Sequence, residues 1–131
     1  MERSENRKSI LSGPVMPVPA SPLYGWFDTW DVTTIQSKTW QWTIPKDGMY
    51  YKLCNYNHAM MPTGWIASAI YLNDDIIFYE YSGYEIIWRP GSDNAPAFKY
   101  PDVLKVTIAH VYASYHVNHY WEMDFWREEQ R

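Results

Sequence analysis

From Tyr24 onward, apolar and polar positions alternate with a period of two, and no window sustains the 3.6-residue spacing of an amphipathic helix. Along Trp40-Gln41-Trp42-Thr43-Ile44 the two tryptophans and the isoleucine share one face while Gln41 and Thr43 share the other, the pattern of a strand with one wet side. Pro45 stops that strand. The corner Pro45-Lys46-Asp47-Gly48 is a turn signal, since proline presets one dihedral and Asp-Gly supplies a side-chain acceptor and a permissive glycine; a second strand resumes at Met49. The run WIASAIYLNDDIIFYEY predicts a hairpin turning at Asn73-Asp74, two residues that tolerate positive φ better than most. Further on, Leu104, Val106, Ile108, His110 and Tyr112 alternate with Lys105, Thr107, Ala109 and Val111, and Trp121, Met123 and Phe125 stand opposite Glu122, Asp124 and Trp126. Several short strands with turn signals between them predict an all-β, jelly-roll-like β-sandwich over residues 24–131.

Residues 1–23 differ in kind. Pro14, Pro17, Pro19 and Pro22 sit among small residues, and proline withholds a backbone donor and favours an extended chain over helix or central strand. An extended proline-rich N-terminal arm is expected, either disordered as termini commonly are or ordered on docking with a partner.

Composition narrows the function. A length of 131 residues suits one domain, and 47% hydrophobic with 18% aromatic residues gives ample apolar area for a core. The eight tryptophans and twelve tyrosines add a polar handle to many rings, which suits interiors and wet interfaces alike. A net charge of −4 with scattered acids and bases offers no footprint for a phosphate backbone, so nucleic-acid binding is not expected. One cysteine, Cys54, excludes an intrachain disulfide and a cysteine-based zinc cluster; within YKLCNY it reads as a small buried hydrophobe. No stretch reaches the ~20 apolar residues of a membrane span, and the charged start MERSENRKS lacks the apolar run of a secretion signal. Folding in the cytosol without membrane insertion is the expectation.

Candidate chemistry is sparse. There is no G-x-S-x-G elbow, phosphate-binding glycine loop or H-E-x-x-H pair. His110, His116 and His119 are close enough to converge across a hairpin, with Glu122 or Asp124 as possible carboxylates. Yet His116 and His119 are three apart and so face opposite sides of a strand, while His110 shares a face with Val106 and Ile108. A hydrogen-bonded core or interface histidine is therefore expected at His110, with no metal and no cofactor. Asp74, Asp75, Glu80 and Glu85 are available carboxylates, but glycoside hydrolysis needs two of them opposed across a cleft. No catalytic residue is assigned, and a hydrolase ranks third among the readings.

The motifs in order, WTIPKDGMYY, IYLNDD, FKYPDVLKVTI and the aromatic strand YWEMDFW, resemble the small jelly-roll head domains of the C1q and tumour-necrosis-factor type found in bacteriophage tail-fibre and capsid-fibre proteins. The resemblance covers roughly residues 38–126 and departs at Pro101-Asp102, where such domains usually have Gly-Asp. It implies a homotrimer with an attachment or structural role and no catalytic set. On that basis the expected function is a non-enzymatic virion structural protein, a fibre or capsid-decoration component made in the host cytoplasm, whose arm contacts other virion proteins.

The strand-like run IIFYEYSGYEIIW carries apolar side chains on both faces, whereas a lone sandwich buries one face of each sheet. Something is expected to cover the second face: a sister subunit, a glycan stacked on the rings, or loops that thicken the core. The candidates for subunit contact or glycan stacking are Tyr79, Tyr81, Tyr84, Trp88 and Trp126. A carbohydrate-binding module recognising a host-surface glycan is the alternative function.

Overall fold

The structure, a computed structural model, describes residues 15–17, 23–29, 36–61, 64–112 and 116–129. All regular structure among them is β: β1 (Val15–Pro17), β2 (Leu23–Thr29), β3 (Gln36–Thr43), β4 (Met49–Met61), β5 (Trp65–Leu72), β6 (Asp75–Ser82), β7 (Ile86–Trp88), β8 (Ala97–Phe98), β9 (Val103–Tyr112) and β10 (Val117–Glu129). The first sheet has the order β1-β3-β9-β5-β6, and the second β2-β10-β4-β7 with β8 also on β4.

The order follows from one long folded ribbon. Its tip is the β5–β6 hairpin, and outward from there β4 pairs with β7 and β8, β3 with β9, and β2 with β10, the nested pairs falling alternately in the two sheets. Wrapping the ribbon brings β10 against β4 and β9 against β5, which closes each sheet. This is the jelly-roll β-sandwich that the alternation predicted.

At the tip, Asn73 and Asp74 have φ of 52° and 71°, the left-handed pair of a type I′ turn. Asn73 also ties the tip to the start of β9: its amide donates to the Val103 carbonyl, its Oδ1 accepts from Val103 N, and its Nδ2 donates to Asp102 Oδ1, each at 2.9 Å. The corner at 45–48 is scaffold. Gly48 takes φ of 76°, Asp47 Oδ1 accepts from Met49 N at 3.1 Å, and the Tyr51 hydroxyl donates to Asp47 Oδ2 at 2.6 Å. Burial first, and the Asp47 carboxylate second, push the Tyr51 phenol well above its ordinary pKa.

The inward positions make an aromatic core. Trp40, Trp42 and Trp121 are buried, with Trp121 edge-on to Trp40 at 5.2 Å and to Trp42 at 5.7 Å between ring centroids. Leu104, Val106, Ile108 and His110 on β9 and Trp121, Met123 and Phe125 on β10 face it as their alternation requires.

On β4 the alternation changes phase: Tyr51 and Leu53 are buried, then Tyr56 and His58. A β-bulge is the cause, because Leu53 pairs with Phe125 and Asn55 with Asp124, leaving Cys54 as the extra residue. The expectation of a buried Cys54 is corrected accordingly. Its side chain is partly exposed, with Sγ donating to the Asp124 carbonyl at 3.2 Å, and burial followed by the nearby Asp124 carboxylate raises the thiol pKa.

Of the expected arm, Val15–Pro17 add in parallel to the edge of β3, opposite Gln41–Thr43, and Leu23 already opens β2. An edge position suits Pro17, which has no amide to donate. The other arm residues lie outside the described ones.

Candidate functional site

Strand register decides where each predicted aromatic goes. Tyr79 and Tyr81 pair with Ala69 and Ala67, which lie on the face of β5 opposite the buried Ile66, Ser68 and Ile70, so both tyrosines stand on the outer face of the first sheet and are exposed. Tyr84 lies in the β6–β7 connection and is 73% exposed. Trp88 points the other way: it pairs with the buried Tyr56 and stacks on Phe78, centroids 4.5 Å apart and planes 13° apart, so it belongs to the rim of the core. Trp126 follows the inward Phe125 and stands on the outer face of the second sheet. The five candidates are thus divided between two opposite faces, a loop and the interior.

Sequence reasoning missed two companions. Trp65 stacks on Tyr81 at 5.1 Å and 16°, lying over Gly83, where a Cβ would stand 3.4 Å from the ring. Beside it the first sheet's outer floor is Ala67, Ala69 and Thr107, and the Thr107 and Thr39 hydroxyls are 3.0 Å apart. On the second sheet Trp26, on β2, faces Tyr120 on β10 and is 60% exposed. Tyr24 reaches the same ring, its centroid 6.2 Å from that of Tyr120. Only the turn-rich surroundings of Trp26 and Trp65 could have flagged them, because alternation shows which side a residue is on and not which side is wet.

The second sheet's outer face combines these rings with polar groups. Tyr120, Glu122, Asp124 and Trp126 follow one another along β10, with Asn57 opposite Glu122 and Asn55 opposite Asp124 on β4. Asn55 Nδ2 donates to Asp124 Oδ2 at 3.1 Å. Partial burial, then the adjacent Asp124 carboxylate, raise the Glu122 pKa, and partial burial followed by Glu122 raises that of Tyr120. The two carboxylates are neighbours on one flat strand face. Asp74 lies at the hairpin tip beside Lys105 Nζ, 3.3 Å away, while Asp75, Glu80 and Glu85 are exposed along and beyond β6.

Inside the sandwich the histidines form a chain. The Tyr56 hydroxyl donates to Ser68 Oγ at 2.8 Å, Ser68 Oγ meets His58 Nδ1 at 2.6 Å, His58 Nε2 meets His119 Nδ1 at 3.1 Å, and His119 Nε2 meets His110 Nδ1 at 2.9 Å. Ser68 and all three histidines are fully buried, and Phe27 stacks on His119 at 4.6 Å. The expected hydrogen-bonded His110 is there. His116 is apart, 3.5 Å from Asp28, and His58 takes the place sequence spacing had suggested for it. His58 was hidden because the bulge at Cys54 turns it inward. The rings do not converge on a metal, since His119 spends its two nitrogens on different partners, and no group of three His, Cys, Asp or Glu among the described residues is placed to hold one.

No family model matches the chain, and a comparison with curated proteins found no match. Among solved structures, the chain is similar to the insecticidal delta-endotoxin Cry8Ea1 from Bacillus thuringiensis, with 8% identity and a TM-score of 0.40 over 80% of this chain; it spans 19% of that protein's length.

Proposed function

We propose that the chain is a non-enzymatic virion structural protein, a fibre or capsid-decoration head that assembles as a homotrimer, with its proline-rich arm docked on other virion proteins. The supporting observation is the exposed rings on the outer face of the second sheet, the facing pair Trp26 and Tyr120 at one end and Trp126 beyond the acidic stripe, which are 60%, 46% and 43% exposed in the isolated chain. Large exposed rings on one sheet face favour burial against another protein surface, and Tyr and Trp are the residues enriched in interface centres. A threefold arrangement, in which this face of one copy meets a different surface of the next, would cover them while leaving the Tyr hydroxyls and Trp N–H groups able to reach the polar stripe of Asn55, Asn57, Glu122 and Asp124. The number three, and the virion itself, rest on the resemblance of the strand and corner motifs to trimeric jelly-roll heads, with which the wrapped ribbon agrees. Light scattering on the purified chain at micromolar concentration tests the assembly: a mass of three chains is expected, and a monomer mass overturns it. Co-purification with particles of the parent virus tests the location.

A second reading draws on the other face. The stacked Trp65–Tyr81 pair beside the small floor of Ala67 and Ala69 and the paired Thr39 and Thr107 hydroxyls would suit a glycan, whose apolar ring faces stack on aromatics while its hydroxyls bond polar neighbours. Binding on a glycan array that is lost in Trp65→Ala favours this role for the first sheet's face.

A further inference from the structure

The chain Tyr56–Ser68–His58–His119–His110 passes back and forth between the sheets. Tyr56 and His58 are on β4 and His119 on β10, in the second sheet, whereas Ser68 on β5 and His110 on β9 belong to the first. Three of the four links, Tyr56–Ser68, Ser68–His58 and His119–His110, therefore cross from one sheet to the other. We propose that this chain is an acid-released lock, which holds the two sheets together at neutral pH and lets the sandwich open on acidification.

The direction of the hydrogen bonds gives the lock its sensitivity. Tyr56 donates to Ser68; with the Ser68 hydroxyl donating to His58 Nδ1, His58 must donate from Nε2 to His119 Nδ1, and His119 from Nε2 to His110 Nδ1. Every ring is then neutral and every acceptor nitrogen is occupied by a neighbour's proton. A further proton on His110 Nδ1 would face the His119 Nε2–H, donor against donor across the two sheets, and one on His119 Nδ1 would face the His58 N–H within the second sheet; at His58 the Ser68 hydroxyl can turn to accept, so it is charge on His110 or His119 that breaks the chain.

The register partners of the rings carry no charge. On β2 Phe27 stacks on His119; on β4 Met60 is its register partner; on β7 Ile86 lies opposite His58, as does Trp121 on β10; on β5 and β3 Ile66 and Gln36 lie opposite His110. On β6 the register partner of Ser68 is Glu80, and it is exposed. Asp28 is engaged with His116, outside the chain. Burial, then the neighbouring rings, push His58 and His119 down from the ordinary 6.5 to about 3. The unfolded chain takes up protons near pH 6.5 and the folded one only near 3, so the stability these rings hold is complete above pH 6.5 and is lost as the pH falls through that window.

The test is urea unfolding of the full chain from pH 7.5 to pH 4.5. Each buried neutral histidine adds about tenfold per pH unit to the unfolding equilibrium constant below its ordinary pKa, so His58 and His119 together predict about a hundredfold per unit. His119→Gln should lower that slope about tenfold per unit, and His116→Asn, outside the chain, should keep the wild-type slope. Long-range 15N NMR of the wild-type protein at pH 5.5 gives a readout independent of the variant's folding: the three buried rings should be neutral Nε2–H tautomers. A flat profile from pH 7.5 to 5, an unchanged slope in His119→Gln, or buried rings that charge near pH 6 while the fold stays intact would each overturn the lock.

Discussion

The indole of Trp121 lies over Gly25, so close that a Cβ on the glycine would stand 2.8 Å from Nε1 and 3.1 Å from Cε2. The two residues are register partners on β10 and β2, and the missing side chain is the space the ring occupies. Trp121 in turn holds Trp40 and Trp42 edge-on, so its position is passed to the centre of the core. Gly25→Ala must displace a fully buried ring that is packed edge-on to Trp40 and Trp42, at a cost of about 1–3 kcal/mol typical of overpacking. Urea denaturation followed by tryptophan fluorescence measures it, and a loss below about 0.5 kcal/mol would mean that the ring moves freely.

The hairpin tip separates two roles that one residue pair performs. Asp74 contributes a positive φ and one exposed contact to Lys105, so Asp74→Gly should change stability by no more than about 0.5 kcal/mol. Asn73 contributes a positive φ and also two side-chain hydrogen bonds to Asp102 and Val103. Asn73→Gly keeps the first and loses the second, which should cost about 1–2 kcal/mol, and Asn73→Val loses both and should cost more. Denaturant midpoints for the three variants should fall in that order.

The contrast between Asn73 and His58 shows what was legible in the sequence. Local rules were enough for β3, the start of β4, the β5–β6 hairpin, β9 and β10, and for the Asn73-Asp74 turn and the Asp47-Gly48 corner, because each is decided by residues within a few positions of one another; the short β1, β7 and β8, fixed by their pairing, were not read. The inward row of β9 and the last strand could likewise be read from alternation alone. The phase change at Cys54 could not, since a bulge is a property of the pairing with Asp124 and Phe125 some seventy positions away, and everything after it on β4 inherits the shift. His58 was therefore invisible as a partner of His110 and His119. Trp88 failed differently: its alternation is correct, but only the wrap of β7 onto β4 brings it against Phe78.

The arm offers a third expectation. Val15–Pro17 cover the edge of β3 through parallel pairing with Gln41–Thr43, so the arm is not wholly separable from the sandwich. Deleting residues 1–13 should leave the melting temperature unchanged, whereas deleting 1–17 bares an edge strand and should lower it by a few degrees, with increased self-association at high concentration. Differential scanning fluorimetry and size-exclusion chromatography distinguish the two truncations. Equal melting temperatures would place β1 among contacts without energetic weight.

Outer and inner aromatics should fail in different experiments. Trp88 is stacked on Phe78, which is in turn edge-on to the buried Tyr56 at 5.8 Å, so Trp88→Ala removes packing within one chain and should cost about 2 kcal/mol or more of folding stability. Trp26 and Tyr120 face solvent in the isolated chain, so Trp26→Ala and Tyr120→Ala should leave the monomer's unfolding free energy within about 0.5 kcal/mol. If the second sheet's face is the subunit contact, the same two substitutions should each cost about 2 kcal/mol of assembly, a thirtyfold weaker association, while Lys99→Ala, which only overlies Tyr50 at 5.8 Å, should leave assembly unchanged. Sedimentation at several concentrations reads association, and denaturation at a concentration where the chain is monomeric reads folding. Loss of assembly in Tyr81→Ala with none in Trp26→Ala would move the subunit contact to the first sheet, and with it the surface left free for a glycan.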